Sequence, residues 1–242
     1  KNKELRRARL LFSVLAFPWM VKTGKSLIIG MQKMGISPAW FVKPTVYKHF
    51  VGGETLSACN TVVESLSRYG VKSILDYSVE AIQTEKAIEA VLKETLNAIR
   101  NAATNPNIPF AVFKPTAFVP HSVLDKTEHP DSLTAEDIIQ LNLFRERIDI
   151  LCHEASQLGI PLLIDAEDSW YQAFIDDLVE SMMNKYNREK TIVFNTLQMY
   201  RHDRISYLQG LIQRAEKAGF KVGLKFVRGA YMEKERARAQ LL

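Results

Sequence analysis

Pro161-Leu162-Leu163-Ile164-Asp165 is a short apolar run opened by a proline and closed by a carboxylate, and a helical pattern from Trp170 to Tyr186 follows it. A run that is apolar on both of its faces reads as a strand buried within a parallel sheet. The same unit recurs on either side. Upstream stand Val71-Lys72-Ser73-Ile74-Leu75-Asp76-Tyr77, with a helix from about Thr84 to Arg100, and Phe110-Ala111-Val112-Phe113-Lys114, with a helix from near Thr134 to Leu158. Downstream come Thr191-Ile192-Val193-Phe194-Asn195, with a helix from Ile205 to Ala218, and Lys221-Val222-Gly223-Leu224-Lys225-Phe226-Val227, leading into Glu233 to Leu242. Such alternation predicts an α/β chain whose parallel sheet is covered by helices on both faces.

Polar residues decide between the doubly wound open sheet and the (β/α)8 barrel. Each run ends in a polar or charged group: Asp76, Lys114, Asp165, Asn195, and Lys225 with Arg228. A Rossmann sheet concentrates its chemistry at a Gly-rich first turn, and no GxGxxG occurs. A barrel projects functional groups from the carboxyl ends of many strands into one shared site, so the TIM-like (β/α)8 barrel is the expected fold. Successive strand ends lie 38, 51, 30 and 30 residues apart, which makes five of the eight βα units. Closing the barrel would call for about 100 residues beyond Leu242. The composition changes near residue 70. Residues 1–68 read as an all-helical N-terminal extension broken at Pro18, Gly35-Ile36-Ser37-Pro38, Pro44 and Gly52-Gly53, and residues 69–242 as the barrel, incomplete at its C-terminal end.

A chain of 242 residues, 47% of them hydrophobic, supports a sizeable core and excludes disorder, collagen and a small disulfide scaffold. Its 32 basic and 27 acidic residues give a net charge of +5 from many residues of both signs. Only Arg6, Arg7 and Arg9 approach a basic stripe, so no nucleic-acid partner is expected. Cys59 and Cys152 lie far apart without a CxxC partner, which suits a reducing compartment and argues against a structural zinc. Leu10 to Met20 is apolar, but Pro18 interrupts it and Lys22 and Lys25 follow. It is neither a secretory signal nor a span, which needs ~20 uninterrupted apolar residues. It reads as an amphipathic helix packed on the main domain, with a membrane surface as the other place for it.

On a barrel, Asp76, Glu80, Lys114, Asp165, Glu167, Asn195, Lys225 and Arg228 converge on one rim. Cations set among carboxylates would bind an anionic or zwitterionic substrate, and a buried lysine beside an aspartate would have a shifted pKa. A salt-bridge layer capping the strand ends is the plainer reading, but capping does not require a polar group at five successive ends. Gly229 follows a strand and precedes a helix, where its backbone could approach a phosphate or ring; a tight βα turn would equally use it. His49, His121, His129, His153 and His202 show no HxH or HExxH spacing, so no metal site is expected, and there is no GxSxG elbow.

Lys225-Phe226-Val227-Arg228-Gly229-Ala230-Tyr231, followed by Glu235-Arg236-Ala237-Arg238-Ala239, resembles the fifth-strand motif of the proline dehydrogenase family. Phe50-Val51-Gly52-Gly53-Glu54-Thr55, Ile74-Leu75-Asp76-Tyr77-Ser78-Val79-Glu80, Leu163-Ile164-Asp165-Ala166-Glu167 and Ile192-Val193-Phe194-Asn195-Thr196 match further motifs in the family's order. The match covers about residues 47 to 240 and lies nearer the monofunctional, mitochondrial-like branch. The resemblance implies a distorted (β/α)8 barrel that binds FAD and oxidises L-proline to 1-pyrroline-5-carboxylate, the first step of proline catabolism, with a membrane quinone as electron sink. It implies catalytic positions at Asp165 and Lys225 and substrate contacts at Lys114, Tyr231, Asp76 and Glu80. Flavin contacts are implied at Ala166, Asn195, Arg228, Gly229 and Ala230, with no metal. Where many relatives carry arginine on the fifth strand, this sequence has Lys225. The implied location is the cytoplasm, peripheral at the inner membrane, or the mitochondrial matrix. The family's paired arginines, which clamp the proline carboxylate, belong to the last strand and helix, beyond the five units read here. The 242 residues alone are therefore expected to bind FAD poorly, to leave proline unoxidised and to self-associate through unpaired strand edges. Two other classes suit the same residues: a Schiff-base lyase using Lys114 or Lys225 as nucleophile, and a non-catalytic barrel serving as a binding module.

Overall fold

The structure is a computed structural model and describes residues 2–77, 84–229 and 231–241. The chain divides into two compact units, Lys1–Val62 and Val63–Leu242.

The first unit is helical. Helix α1 covers Asn2–Leu15 and α2 covers Pro18–Lys33; short helices at Ala39–Val42 and Lys48–Phe50 are joined by a π turn over Lys43–Tyr47. Pro18 stands in the first turn of α2, where a missing N–H leaves no hydrogen bond unmade. Pro44 takes the equivalent place in the π turn, so the chain stays helical from Ala39 to Phe50 and the expected break at Pro44 does not occur. Edge-on contacts of Phe12 with His49 (5.2 Å) and Phe50 (5.9 Å) tie α1 to the last of these turns. Among its described side chains α2 buries none.

In the second unit, strands β1 (Leu75–Asp76), β2 (Ala111–Phe113), β3 (Leu162–Ile164), β4 (Val193–Gln198) and β5 (Leu224–Val227) form one parallel sheet in the order β1-β2-β3-β4-β5. Helix α3 (Leu56–Ser67) precedes β1, and α4 (Glu85–Thr104), α5 (Ala135–Leu158), α6 (Gln172–Tyr186), α7 (Arg204–Ala218) and α8 (Met232–Ala239) follow the strands in turn. A doubly wound sheet reverses its strand order at a switch point; this sheet never does, and single winding in sequence order is the arrangement of the barrel.

Alternation along the strands sorts the side chains into two layers. Ala111, Phe113, Leu162, Ile164 and Val193 join the main core with Phe144, Ile148 and Leu151 of α5 and Ile175 and Val179 of α6. The intervening residues, Lys114, Asp165, Thr196 and Lys225 among them, point to the opposite face. The core is tight enough that Phe144, fully buried, would cost about 3–5 kcal/mol on truncation to alanine. Helix α5 begins at a capping box: the Thr134 hydroxyl accepts from the Asp137 N–H (3.2 Å), and the Asp137 carboxylate accepts from the Thr134 N–H (2.9 Å). It ends at Gly159, whose φ of +67° is the left-handed conformation that closes the last turn.

The first strand is shorter than its apolar run. Val71 and Ile74 are exposed, and among the described residues beyond Leu75 and Asp76 the Ser73 N–H alone reaches across, to the Asn107 carbonyl (2.9 Å). Strand β2 offers three residues to pair with, and an edge strand forms only where its neighbour continues.

Candidate active site

The parallel register builds the site. Phe113 pairs with Ile164, which sets Lys114 beside Asp165; Leu163 pairs with Phe194, which sets Asp165 beside Thr196; and Thr196 pairs with Lys225. Lys114, Asp165, Thr196 and Lys225 therefore form one row on the face opposite the core. Asp76, from the end of β1, extends it. The Lys114 ammonium donates to Asp76 Oδ2 at 2.7 Å and lies 3.8 Å from Asp165 Oδ2, and Lys225 Nζ donates to Asp165 Oδ1. The result is a ladder of alternating sign: Asp76, Lys114, Asp165, Lys225.

The ladder is sheltered, with 18% of the Lys114 side chain and 20% of the Asp165 side chain exposed. Burial acts to lower the Lys114 pKa, but the hydrogen bond to Asp76 and the charges of Asp76, Asp165 and Glu167 outweigh it, and the ammonium is held above the ordinary lysine value. Lys114 is thus a fixed cation. The Thr196 hydroxyl donates to the Ile164 carbonyl (2.8 Å), so the row is continuous without a further charge there.

Asn195 is not part of this row. Strand β4 runs on to Gln198 instead of ending at Asn195, and alternation turns Asn195 to the helix side, where it is buried. Its amide donates to Asp176 Oδ1 (2.9 Å) of α6 and its carbonyl accepts from the Thr196 N–H (2.8 Å). Arg204 Nη1 reaches the other oxygen of Asp176 at 2.5 Å. The expectation that Asn195 ends its strand at the rim is therefore corrected: the strand runs on past it, and Asn195 joins a polar network between sheet and helices.

Beyond the row lie the loops. Ala166 is half-buried beside Asp165. Glu167 is buried and accepts from the Thr116 N–H (2.9 Å) and hydroxyl (2.8 Å); burial raises its pKa against the opposing effect of those bonds and of Lys114. Gln198, which the sequence reading missed, closes β4 with its amide donating to the Glu167 carbonyl (2.5 Å), while its Oε1 is buried with no hydrogen-bond partner among the described residues. An unmet buried acceptor costs about 1–3 kcal/mol and marks a place for a donor. Thr196 and Gln198 could have been found by continuing the period-2 alternation from Phe194. Arg228 is exposed just past β5. Gly229 has φ +119°, and a Cβ there would fall 2.2 Å from Tyr200 Cδ1. Tyr231 is half-buried, with Lys234 Nζ 5.0 Å from its ring centroid. Glu80 and Ala230 lie outside the described residues. Burial raises the Cys152 thiol, which makes it a poor nucleophile. Among the described residues no group of three or more His, Cys, Asp or Glu is placed to hold a metal ion.

A family model described as Proline dehydrogenase matches residues 59–242. "Proline dehydrogenase 1, mitochondrial" of Dictyostelium discoideum is 30% identical over 274 residues, covering 96% of this chain and 48% of its own length. "Carbapenem antibiotics biosynthesis protein CarD" of Pectobacterium carotovorum is 31% identical over 187 residues, covering 77% of this chain and 50% of its own length. The chain thus spans about half the length of the curated relatives it matches. Among solved structures, proline utilization A from Bdellovibrio bacteriovorus, inactivated by N-propargylglycine, superposes with a TM-score of 0.66 at 17% identity, over 100% of this chain and 24% of that one. At that identity the likeness is one of fold, and it agrees with the singly wound sheet of a TIM-like barrel.

Proposed function

The chain belongs to the proline dehydrogenase family, and on that premise we propose that the protein carrying it oxidises L-proline to 1-pyrroline-5-carboxylate, with FAD as hydride acceptor and a quinone as electron sink. The observation that carries this reading is the charge ladder at the strand ends, which lies wholly inside the segment the family matches.

The residues present suit a flavin. Gln198 offers a buried acceptor for a ring N–H, Arg228 an exposed guanidinium for a phosphate or ring oxygen, and Gly229 an exposed backbone beside it. When bound, FAD supplies an acceptor for the hydride leaving the ring carbon next to proline's nitrogen. The rest of the task falls to side chains. Lys114, kept charged by its two carboxylate neighbours, binds the substrate carboxylate. Asp165 holds Lys114 and Lys225 at fixed places, so their charges need no reorganisation when electron density shifts. Lys225 presents positive charge toward the flavin. Asp76 and Tyr231 border the substrate, and Ala166 leaves room for the ring because it extends no further than a methyl.

A Schiff-base lyase would need a neutral amine, and the environment of Lys114 favours its ammonium instead, which counts against a lyase that uses Lys114 as its nucleophile. A quinone sink places the protein at a bilayer, and its first unit suits one: residues 1–62 carry ten basic and two acidic residues and expose Trp19 and Trp40. No helix among the described residues is long and apolar enough to cross a membrane. We assign the protein a peripheral position on the cytoplasmic or matrix face of an inner membrane. Proline-dependent dye reduction by the FAD-loaded protein tests the activity; loaded protein that reduces no dye with proline overturns it.

A further inference from the structure

Helix α8 follows the segment that carries Arg228 and Gly229, yet among its described residues it buries none. Apolar packing does not fix its position; polar ties do. Lys234 donates to Asp168 Oδ2 (3.1 Å), and Arg238 pairs with Glu128. The densest tie is Glu235. Its Oε1 accepts from the Ser169 N–H (3.1 Å) and the Tyr200 hydroxyl (3.0 Å), and its Oε2 accepts from the Ser169 hydroxyl (2.8 Å). The bonds line one side of a polar cavity of about 440 Å³ shared with Arg201, His202 and Asp203.

The three residues come from the segments that follow three consecutive strands: Ser169 and Tyr200 from the loops after β3 and β4, and Glu235 from helix α8 after β5. Ser169 lies four residues after Asp165, Tyr200 two after Gln198, and Glu235 seven after Arg228. Tyr200 holds the segment after β5 twice, through its hydroxyl to Glu235 of helix α8 and through its ring edge, which occupies the space a Gly229 side chain would take. Burial and the neighbouring carboxylate raise the Tyr200 pKa, so the hydroxyl keeps the proton it donates.

We propose that Glu235 is a positioning residue: with Ser169 and Tyr200 it ties helix α8 to the loops after β3 and β4 and so sets where Arg228 and Gly229, just before that helix, stand relative to Asp165 and Gln198. The consequence for flavin rests on the function proposed above; the tie itself does not. A charge-assisted bond to each of three donors is strong enough for its loss to be read directly.

The test uses Glu235→Ala, Glu235→Gln and Arg238→Ala in the protein that carries this chain. FAD affinity is measured by fluorescence titration of flavin-free protein, the KM for proline at saturating FAD, and the rate of tryptic cleavage after Arg228 with no flavin present. Glu235→Ala should weaken FAD binding and speed cleavage after Arg228 by about tenfold or more each, while the KM for proline moves no more than about twofold. Glu235→Gln should restore both, because the amide oxygen accepts from the Ser169 N–H and Tyr200 and the amide nitrogen donates to the Ser169 hydroxyl. Arg238→Ala, which cuts the tie to Glu128 and the cation–π contact with Trp170 but none of the bonds of Glu235, should leave FAD affinity intact. Unchanged cleavage and FAD affinity in Glu235→Ala would overturn the proposal, as would a glutamine as damaging as alanine or an equal loss of FAD in Arg238→Ala. If the wild-type protein takes up no FAD, the functional reading fails, and the cleavage rates still decide whether the tie holds the loop.

Discussion

Lys114 is flanked by Asp76 and Asp165, and its position in the register sets it on the strand-end row, where we propose that it faces substrate. Replacing it by alanine should raise the KM for proline by about tenfold or more, the worth of one charged hydrogen bond, while flavin content stays at the wild-type level. Parallel loss of flavin, read from absorbance, would show that the lysine supports the cofactor instead. Gly229→Ala is the sharper steric case. It places a Cβ on the Tyr200 ring and forces a side chain into φ +119°, so a stability loss of about 1–3 kcal/mol is expected in thermal unfolding. A melting temperature equal to wild type would mean that Tyr200 swings away freely. Lys114 and Asp165 were legible in the sequence because a charge closing an apolar run marks a strand end. Asn195 misled for the opposite reason: its run stops looking apolar at Thr196, but the strand continues. What satisfies the buried Asn195 amide is Asp176 on a helix nineteen residues away, a partner no local pattern reveals.

Helix α5 is the element whose limits the sequence shows best, since both of its ends carry local chemistry. Thr134→Ala removes the hydroxyl that accepts from the Asp137 N–H and should cost about 1 kcal/mol. Asp137 closes the same box. Its bonds from Lys126 (2.8 and 2.9 Å) and from the Thr134 hydroxyl and N–H lower its carboxyl from the usual 3.8 to about 2. A folded-state pKa below the unfolded one means a contribution present above pH 4 and lost as pH falls through about 2. Asp137→Asn should therefore be less stable than wild type at pH 7, with the gap closing between pH 5 and pH 2. A gap that persists undiminished at pH 2 in thermal unfolding would assign it to shape rather than charge. Strand β1 shows why other limits were not legible. The apolar run from Val71 predicts seven residues of strand, but length on a sheet edge is set by the partner strand, and that information lies more than thirty residues downstream.

At the scale of the molecule, charge is divided unevenly. Residues 1–62 hold ten basic and two acidic residues, a net of +8, and residues 63–242 hold 22 and 25, a net of −3, so the whole-chain value of +5 conceals two opposite halves. On the basic side, Trp19 is 65% exposed and Trp40 72%, and Leu10, Leu27 and Met34 are exposed as well. Along α2, Trp19 and Leu27 lie about 80° apart on the helix, and Lys33, Lys22 and Lys25 follow at about 40°, 60° and 120° from Trp19 on the side away from Leu27. Apolar groups bordered by lysines suit the boundary of an anionic bilayer, where each cation near the surface contributes about 1 kcal/mol and each indole buries its ring at headgroup depth. The protein should therefore sediment with vesicles containing phosphatidylserine and not with pure phosphatidylcholine, and tryptophan emission should shift to the blue on binding. Because exposed charges are screened within about 3 Å at 1 M salt, high salt should release most of the bound protein. Reversing Lys22, Lys25 and Lys33 to glutamate should abolish sedimentation while leaving the ladder of Asp76, Lys114, Asp165 and Lys225, and with it dye reduction by proline in solution, unchanged. Equal binding to neutral and anionic vesicles would mean that apolar contact alone draws the first unit to lipid, and no binding to either would remove the membrane from this account.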